Sequence, residues 1–379
     1  MLVAAAPPKR TFRRGSDEWN PSGCLPAQEG LKVTIAEPTA TRAPMPSGAD
    51  IGAIEVREGI LEVPGVLQLH HGGRLERVRV AWRLAGQARA PVVVALGGIS
   101  SHRVVYSHGD TRGWWDGIVG PGWALDATQF RVLGIDFLGG SGATTGPRVG
   151  EPFPSVSSYD QAELLLRVLN HLGIARLHAI AGASYGGMVA LAFGERFAER
   201  VERLLVIGAS DATHPMATAW RSVQRRLLRY ALSHGEGARG LELARALAMA
   251  TYRSPEEFAA RFRAAPERID DKFEFAVERY LFARGADYAA QYRPEAFLCL
   301  SESIDLHSVD AARIDVATTI VGVREDQLVP LADLRALSAR LPSRAHLVEI
   351  SSIYGHDAFL KEAGQVEPVF RNCLENDHE

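Results

Sequence analysis

The chain has 379 residues, of which 46% are hydrophobic and 23% are charged, and these proportions are ordinary for a soluble globular protein. Its formal net charge of -3 gives no electrostatic reason to expect nucleic acid or a membrane surface as a partner. The cysteines, Cys24, Cys299 and Cys373, are far apart and lack metal-ligand spacing, which favours reduced thiols and argues against a bound metal.

The first 50 residues are rich in Pro, Gly, Ser and Ala without sustained periodicity, so we expect an irregular N-terminal extension over residues 1–50. Pro7 and Pro8 interrupt the apolar patch at the N-terminus, and the charges follow this patch, unlike the order in a signal peptide. Because no apolar run approaches the length of a membrane span, the expected location is the cytoplasm.

From residue 51 onward, strand patterns and helix patterns alternate. Residues 61–69 and 78–82 alternate between apolar and polar side chains around a turn, which predicts an antiparallel hairpin. Continuous apolar runs then predict strands that are buried on both faces, as in a parallel α/β sheet. The predicted elements are the strands Pro91–Leu96, Phe130–Asp136, Leu177–Ala181 and Val201–Ile207 and the helix Tyr159–Leu172.

A long helical region interrupts this alternation. From Asp211 to about Ser308 the pattern is mainly helical, and buried strands return at Val316–Val323 and His346–Ile350. The predicted helices are Ala219–Ser233, Gly240–Tyr252, one that starts with Ser254 as N-cap and Pro255, and Lys272–Arg284. We predict an α/β core of residues 51–210 and 311–379, with a helical lid at 211–310 over the carboxyl edge of the sheet, where such folds bind ligands.

The stretch Gly182-Ala183-Ser184-Tyr185-Gly186 lies between a predicted strand and a predicted helix. This is the pattern of a nucleophile elbow, in which a serine occupies a sharp turn and the flanking glycines let strand and helix approach closely. Ser184 is therefore the candidate nucleophile, at a helix N-terminus that favours developing negative charge.

A serine nucleophile needs a base and an acid that orients the base, and in a fold of this kind the acid precedes the histidine in the chain. Asp326 follows the strand predicted at Val316–Val323 and is our choice for the acid, with Glu325 as the alternative. His356 follows the last predicted strand and is the candidate base. The oxyanion hole is predicted to combine the backbone N–H of Tyr185 with that of Gly98, or next of Ile99.

These motifs make the chain similar to the homoserine O-acyltransferase (MetX) family of α/β hydrolases, from about Leu61 to Glu362. The resemblance is carried by the residues around Ser184, by Thr251-Tyr252-Arg253-Ser254 with Phe258, Arg261 and Phe262, and by Gly355-His356-Asp357-Ala358-Phe359-Leu360. It implies an α/β-hydrolase fold with a mostly parallel sheet and an inserted helical lid, and a triad of Ser184, Asp326 and His356. It also implies that Arg253 and Asp357 contact the amino-acid substrate, for which a zwitterion requires a cation and an anion.

Within that family the chain resembles the O-succinyltransferases more than the common acetyltransferases. The relevant stretches are residues 97–103, 301–307 and 328–334, and Tyr185 replaces a methionine that is common after the serine. A succinyl group adds a carboxylate, so a cation or hydroxyl is expected near the acyl site. Arg324, Arg103 and Tyr185 are the candidates, and the sequence does not choose among them.

The resemblance implies transfer of succinyl from succinyl-CoA to L-homoserine through a succinyl-serine intermediate. It implies no cofactor beyond that co-substrate, and it implies a homodimer. The alternatives are acetyl-CoA as donor, L-serine as acceptor, or an esterase that uses water. The lid and the Arg253/Asp357 pair argue against an esterase, because a transferase must exclude water from its acyl-enzyme.

Overall fold

The computed structural model describes residues 54–342 and 345–375, so the extension predicted over residues 1–50 lies outside the described part. Its main feature is an eight-stranded sheet. The strands are β1 (Ile54–Glu62), β2 (Arg79–Gln87), β3 (Val92–Leu96), β4 (Arg131–Ile135), β5 (Ala179–Ala183), β6 (Arg203–Ile207), β7 (Ala317–Val323) and β8 (Ala345–Ile350).

The spatial order of the sheet is β1-β2-β4-β3-β5-β6-β7-β8. Strand β2 pairs antiparallel with β1 and with β4. All the other pairs, along the order β4-β3-β5-β6-β7-β8, are parallel. Every residue of β3 and β5 is buried, as their unbroken apolar sequences predict for strands that are covered on both faces. The parallel strands therefore end at one edge of the sheet, and the loops that follow them meet there.

Helices cover both faces of the sheet and fill the long connection between β6 and β7. In the described residues the helices are α1 (Ser158–Leu172), α2 (Tyr185–Arg196), α3 (Pro215–Ser233), α4 (Gly237–Tyr252), α5 (Pro255–Arg261), α6 (Ala276–Ala289), α7 (Pro294–Asp305), α8 (Leu331–Arg340), α9 (Ala358–Lys361) and α10 (Ala363–Glu375). Five of them, α3 to α7, lie between β6 and β7, and we call these five the inserted helices. The predicted cap at Ser254 is confirmed, because its hydroxyl accepts a hydrogen bond from Glu257 N–H at 3.1 Å.

The structure differs from the sequence prediction at two places. The predicted helix Lys272–Arg284 begins only at Ala276, because Lys272–Glu274 pairs with Glu267–Ile269 in a short hairpin. The turn of that hairpin has Asp270 in the left-handed region, with φ of 52°, a conformation that aspartate tolerates better than most residues. The predicted N-terminal hairpin forms two separate pairs of antiparallel strands. In one, β1 pairs with β2, and in the other, Val66–Gln68 pairs with Arg74–Glu76.

Candidate active site

Ser184 lies between the end of β5 and the start of α2, in a conformation that side chains rarely adopt. Its φ is 53° and its ψ is -122°, and strain of this kind costs about 1–3 kcal/mol. The surrounding backbone holds it there, because Ser184 N–H donates to the carbonyl of Ile207 at 2.8 Å and Ser184 C=O accepts from Gly187 at 2.9 Å. This turn directs the serine side chain away from both the strand and the helix.

The glycines of the motif are required by close backbone contacts. A Cβ on Gly182 would lie 2.2 Å from the carbonyl oxygen of Gly186, and a Cβ on Gly186 would lie 2.3 Å from that of Leu96. Real Cβ atoms do not approach backbone oxygens so closely, so any other residue would separate β5, β3 and α2. The pattern around Ser184 is thus explained by packing.

The residues predicted for the triad form one continuous hydrogen-bonded chain. His356 Nε2 lies 2.8 Å from Ser184 Oγ, and His356 Nδ1 lies 2.7 Å from Asp326 Oδ2. The other oxygen of Asp326 accepts from the backbone N–H groups of Leu328 and Val329 at 2.8 and 3.1 Å. Buried carboxylate, buried imidazole and half-buried hydroxyl are therefore in the order that nucleophilic catalysis requires.

Glu325, the alternative acid, points elsewhere. Its carboxylate accepts hydrogen bonds from Ser351 Oγ at 2.5 Å and from Ser352 N–H at 2.7 Å. It therefore holds the end of β8, and Asp326 is the carboxylate that contacts the imidazole.

The electrostatics of His356 suit a base that becomes positively charged. Burial acts to lower its pKa, but the charge of Asp326, the hydrogen bond to Asp326 and the charge of Asp357 together raise the pKa above the ordinary value. An imidazolium that forms during reaction is thus stabilised by two neighbouring carboxylates.

Two backbone N–H groups are available for an oxyanion. Tyr185 is the first residue of α2, and Gly98 lines the same cavity as Ser184. The loop of Gly98 is fixed to the elbow, because Gly186 N–H donates to the carbonyl of Gly97 at 2.9 Å. Among the described residues, neither the Tyr185 nor the Gly98 N–H has a hydrogen-bond acceptor.

Ser184 opens into a cavity of about 210 Å³ between the carboxyl edge of the sheet and the inserted helices. Its charged lining groups include Arg221, Arg245 and Asp357, and its apolar walls include Trp114, Met188, Trp220, Phe297 and Phe359. A second cavity of about 380 Å³ shares Ile99, Ser100, Ser101 and Arg245 with the first. The serine therefore faces a partly open, mostly apolar cleft with a few charged groups, as small-molecule sites do.

Asp357 lines this cavity, but Arg253 does not. The guanidinium of Arg253 is buried in an ion-pair network, with Nε 3.0 Å from Asp357 and NH1 3.2 Å from Glu257. Glu257 is shared with Arg261, whose guanidinium lies 2.8 Å from the same carboxylate. The ion pair with Asp357 holds that carboxylate in place, and the contact between Arg253 and a substrate carboxylate stays a prediction.

Arg245 is a cation that the sequence reasoning missed. Its guanidinium lies over the rings of Tyr252 and Tyr288, 5.1 and 4.6 Å from their centroids, and it borders both cavities. No carboxylate of the described residues lies within ion-pair distance. The sequence did contain a signal, because Arg245 lies on the same helical face as Leu241 and Met249, where an apolar side chain is expected.

Arg221 is a second cation of the cavity that was missed. Arg221 and Arg225, one turn apart on α3, both pair with Asp305, at 2.7 and 2.5 Å. Because two guanidinium groups share one carboxylate, the cluster of Arg221, Arg225 and Asp305 carries a net positive charge.

The three residues predicted to contact an acyl carboxylate do not line the cavity. Arg324 is exposed, and Arg103 pairs with buried Asp136 at 2.8 Å. The Tyr185 side chain is fully buried, with its hydroxyl 2.6 Å from Ser303 Oγ. The Tyr185 side chain is therefore outside the cavity.

Comparisons with known proteins agree with this architecture. A family model described as alpha/beta hydrolase fold matches residues 91–363. The chain is 41% identical to a homoserine O-succinyltransferase of Xanthomonas campestris pv. campestris, with 90% of each chain covered. It is 33% identical to a homoserine O-acetyltransferase of Clavibacter michiganensis subsp. michiganensis, over 88% of this chain and 96% of that one.

Among solved structures, a homoserine O-acetyltransferase from Bacillus anthracis matches with a TM-score of 0.77 at 20% identity, covering 85% of this chain and 98% of that one. The predicted fold class is thereby confirmed. In the described residues, no cluster of three or more potential metal ligands occurs, and no helix has the length and apolarity to cross a membrane.

The raised pKa of His356 predicts the pH dependence of Ser184 reactivity. His356 must be neutral to accept the serine proton, so labelling of Ser184 by a fluorophosphonate should slow as pH falls through the His356 pKa. The midpoint should lie above 6.5, the ordinary histidine value. Asp326→Asn removes the charge that raises this pKa, so its midpoint should move to lower pH, with a maximal rate lower on the order of 10⁴-fold.

Glu325→Gln is the matched control, because it neutralises the adjacent acid without touching the imidazole. Its midpoint should stay at the wild-type value. A midpoint that is unmoved in Asp326→Asn would contradict the assignment of Asp326.

Proposed function

This chain belongs to the homoserine O-acyltransferase (MetX) family of α/β hydrolases, and we propose that it transfers a succinyl group from succinyl-CoA to the hydroxyl of L-homoserine. One observation carries the choice of reactants. The cavity of Ser184 holds two guanidinium groups, Arg221 and Arg245, and two carboxylates, Asp357 and Asp333. A succinyl-enzyme and an amino acid together bring two carboxylates, which the two guanidinium groups complement, and one ammonium group, which Asp357 complements.

In the first half-reaction, His356 Nε2 takes the proton of Ser184 Oγ while Oγ attacks the thioester carbonyl. The backbone N–H groups of Gly98 and Tyr185 stabilise the resulting oxyanion. The C–S bond then breaks, His356 gives its proton to the departing sulfur, and the products are CoA and a succinyl ester of Ser184. Asp326 holds the imidazole in the required tautomer throughout.

In the second half-reaction, the hydroxyl of L-homoserine replaces the thiol in the same site. His356 takes the proton of that hydroxyl, the oxygen attacks the ester carbonyl, and the same two N–H groups stabilise the oxyanion. The bond to Ser184 breaks, Ser184 recovers its proton from His356, and O-succinyl-L-homoserine leaves. The side chains of this chain account for every proton, and the acyl donor is the sole co-substrate.

Arg245 and Asp357 select an amino acid as acceptor. The Arg245 guanidinium is supported by aromatic rings and by one long hydrogen bond from NH1 to the Tyr252 hydroxyl at 3.4 Å, so no carboxylate competes for it with the α-carboxylate. Asp357 accepts the α-ammonium, and the Arg253 ion pair fixes its orientation. The substrate contact that the family resemblance implies for Arg253 stays a prediction beside that of Arg245.

Arg221 favours succinyl over acetyl as the group transferred. Arg221 lines the cavity together with Ser184. The Asp305 carboxylate pairs with both Arg221 and Arg225, so one of the two positive charges is not compensated by it. An acetyl group offers nothing to bind this charge. A succinyl carboxylate satisfies it, and a site built to bind such a group discriminates against a donor that lacks it.

Transfer rather than hydrolysis is favoured by the apolar cover over Ser184. The inserted helices contribute apolar walls such as Trp220 and Phe297, which exclude water from an ester on Ser184. An esterase would have no use for the opposite charges of Arg245 and Asp357.

A homodimer is the proposed assembly, with contact through the inserted helices. Four large apolar side chains near α6 are exposed, namely Ile269 (43%), Phe273 (60%), Phe275 (47%) and Phe282 (39%). Apolar residues clustered in this way are typical of protein interfaces.

The central experiment measures product formation for each pairing of donor and acceptor. Succinyl-CoA or acetyl-CoA is combined with L-homoserine, L-serine or no amino acid. We expect succinyl-CoA with L-homoserine to give the highest kcat/KM. Ser184→Ala should lower that activity on the order of 10⁴-fold or more. A preference for acetyl-CoA would overturn the assignment of succinyl-CoA as the acyl donor. Equally fast CoA release without any amino acid would indicate an esterase.

Two arginine variants should separate the two carboxylate sites. Arg245→Gln should raise KM for L-homoserine by about 10- to 100-fold, the effect of losing a charged hydrogen bond, and leave the burst of CoA from succinyl-CoA nearly unchanged. Arg221→Gln should lower kcat/KM for succinyl-CoA about tenfold or more and change acetyl-CoA turnover much less.

The exposed arginines Arg239 on α4 and Arg229 on α3 provide matched controls, because their side chains are 58% and 54% exposed and do not line the cavity. Arg239→Gln and Arg229→Gln should match the wild type in KM for L-homoserine, in the CoA burst, in kcat/KM for succinyl-CoA and in acetyl-CoA turnover. If Arg245→Gln slowed the CoA burst as much as the transfer to L-homoserine, Arg245 would not be a residue that binds the amino-acid acceptor.

The dimer is tested by sedimentation velocity. The wild type should sediment at twice the chain mass, and Phe273→Asp should sediment as a monomer, since it puts a charge into the proposed interface. Val149→Asp, at a position that is 82% exposed and outside the inserted helices, should stay dimeric. A monomeric wild type would refute the assembly.

A further inference from the structure

We infer that the inserted helices hold the oxyanion hole in its working geometry through hydrogen bonds of two tyrosine hydroxyls, those of Tyr185 and Tyr292. Both are positioning residues: neither hydroxyl touches the reacting atoms. The inference rests on the proposed function, since it deepens the account of the same site.

The two oxyanion donors come from separate parts of the core. Gly98 follows β3, and Tyr185 begins α2. An oxyanion hole works only if both N–H groups lie about 2.7–3.1 Å from the position that the oxygen will occupy. The hydrogen bond from Gly186 N–H to the carbonyl of Gly97 joins the two segments directly, and side-chain contacts with the inserted helices add to it.

The first tie holds the Tyr185 side chain. Its ring is fully buried against Phe137, and its hydroxyl lies 2.6 Å from Ser303 Oγ on α7. Gln161 Nε2 on α1 also donates to this hydroxyl at 3.4 Å. Because the backbone N–H and the side chain belong to one residue at a strained turn, fixing the hydroxyl fixes the direction of the N–H.

The second tie holds the loop of Gly98. Tyr292, just after α6, donates its hydroxyl to the carbonyl of Ile99 at 2.6 Å. Ser100 Oγ donates to the hydroxyl of Tyr288 at 3.0 Å, and the rings of Tyr288 and Tyr292 stack with centroids 4.8 Å apart. The carbonyl that follows Gly98 is thus anchored to the inserted helices.

Both sets of hydrogen bonds have their partners within residues 288–303, in or between α6 and α7. The oxyanion donors that they position lie in two other segments, the loop after β3 and the start of α2. A phenylalanine would fill the volume of either ring, so packing alone does not require these hydroxyls. A buried hydroxyl without a hydrogen bond costs free energy, so the tyrosine side chain is restricted to the position in which its hydroxyl reaches the partner. A phenylalanine ring has no such requirement and could occupy several positions.

The test compares Tyr185→Phe and Tyr292→Phe with Tyr159→Phe, which removes a hydroxyl bound to Glu195 on α2, away from the cavity. For each of the first two we expect the rate of the CoA burst to fall about tenfold, less than the ~10²–10³-fold effect of losing an oxyanion donor. KM for L-homoserine should stay within about twofold. Tyr159→Phe should keep the wild-type burst.

A second measurement isolates the oxyanion. A small alkylboronic acid without a carboxylate forms a tetrahedral anion on Ser184, so its Ki should rise about tenfold in the two variants, in parallel with the slower burst. Ser303→Ala should reproduce Tyr185→Phe, and the double variant should be no worse than either single one. Unchanged Ki and burst would overturn the inference, as would equal effects of Tyr159→Phe.

The boronate Ki does not depend on the identity of the natural substrates. If succinyl transfer failed to occur while the variants still raised Ki, the proposed function would be wrong and the ties would stand. If transfer occurred and Ki did not change, the ties would be wrong and the function would stand.

Discussion

The left-handed backbone of Ser184 is the constraint on which the rest of the site depends. It exists only because β5, β3 and α2 approach so closely that Gly182 and Gly186 admit no side chain. The strain is supported by backbone hydrogen bonds to Ile207 and Gly187, which are both buried. The core of the sheet therefore supplies the rigidity, and the loops after β7 and β8 need only deliver Asp326 and His356 to a fixed point.

The features of the fold and site that could be predicted from sequence are those that follow buried strands. An unbroken apolar run identifies a strand, and the polar residue after it must lie at the carboxyl edge, which located Ser184, Asp326 and His356. Arg221 and Arg245 were missed because the cavity side of a helix is decided by how several helices pack together, and periodicity reveals only that an apolar face exists.

The case of Arg253 shows what a motif leaves out. The Tyr-Arg-Ser segment predicts a substrate contact, and the structure adds that Glu257, four residues later on α5, and Asp357, after the histidine, both pair with the guanidinium. The spacing of Arg253 and Glu257 was visible in the sequence and is typical of an ion pair. The pair with Asp357 depends on the packing of two distant segments, which a local motif does not reveal.

The aromatic support of Arg245 has a consequence for the exchange of reactants. A guanidinium held by an internal carboxylate would release that partner for each incoming substrate and recover it at each departure. The faces of Tyr252 and Tyr288 and a long hydrogen bond to the Tyr252 hydroxyl hold the cation without a carboxylate, so arrival and release require no exchange of ion partners. Water is then the competitor of the ligand, and the residence time of the product depends on rehydration of one carboxylate rather than on repairing a broken salt bridge.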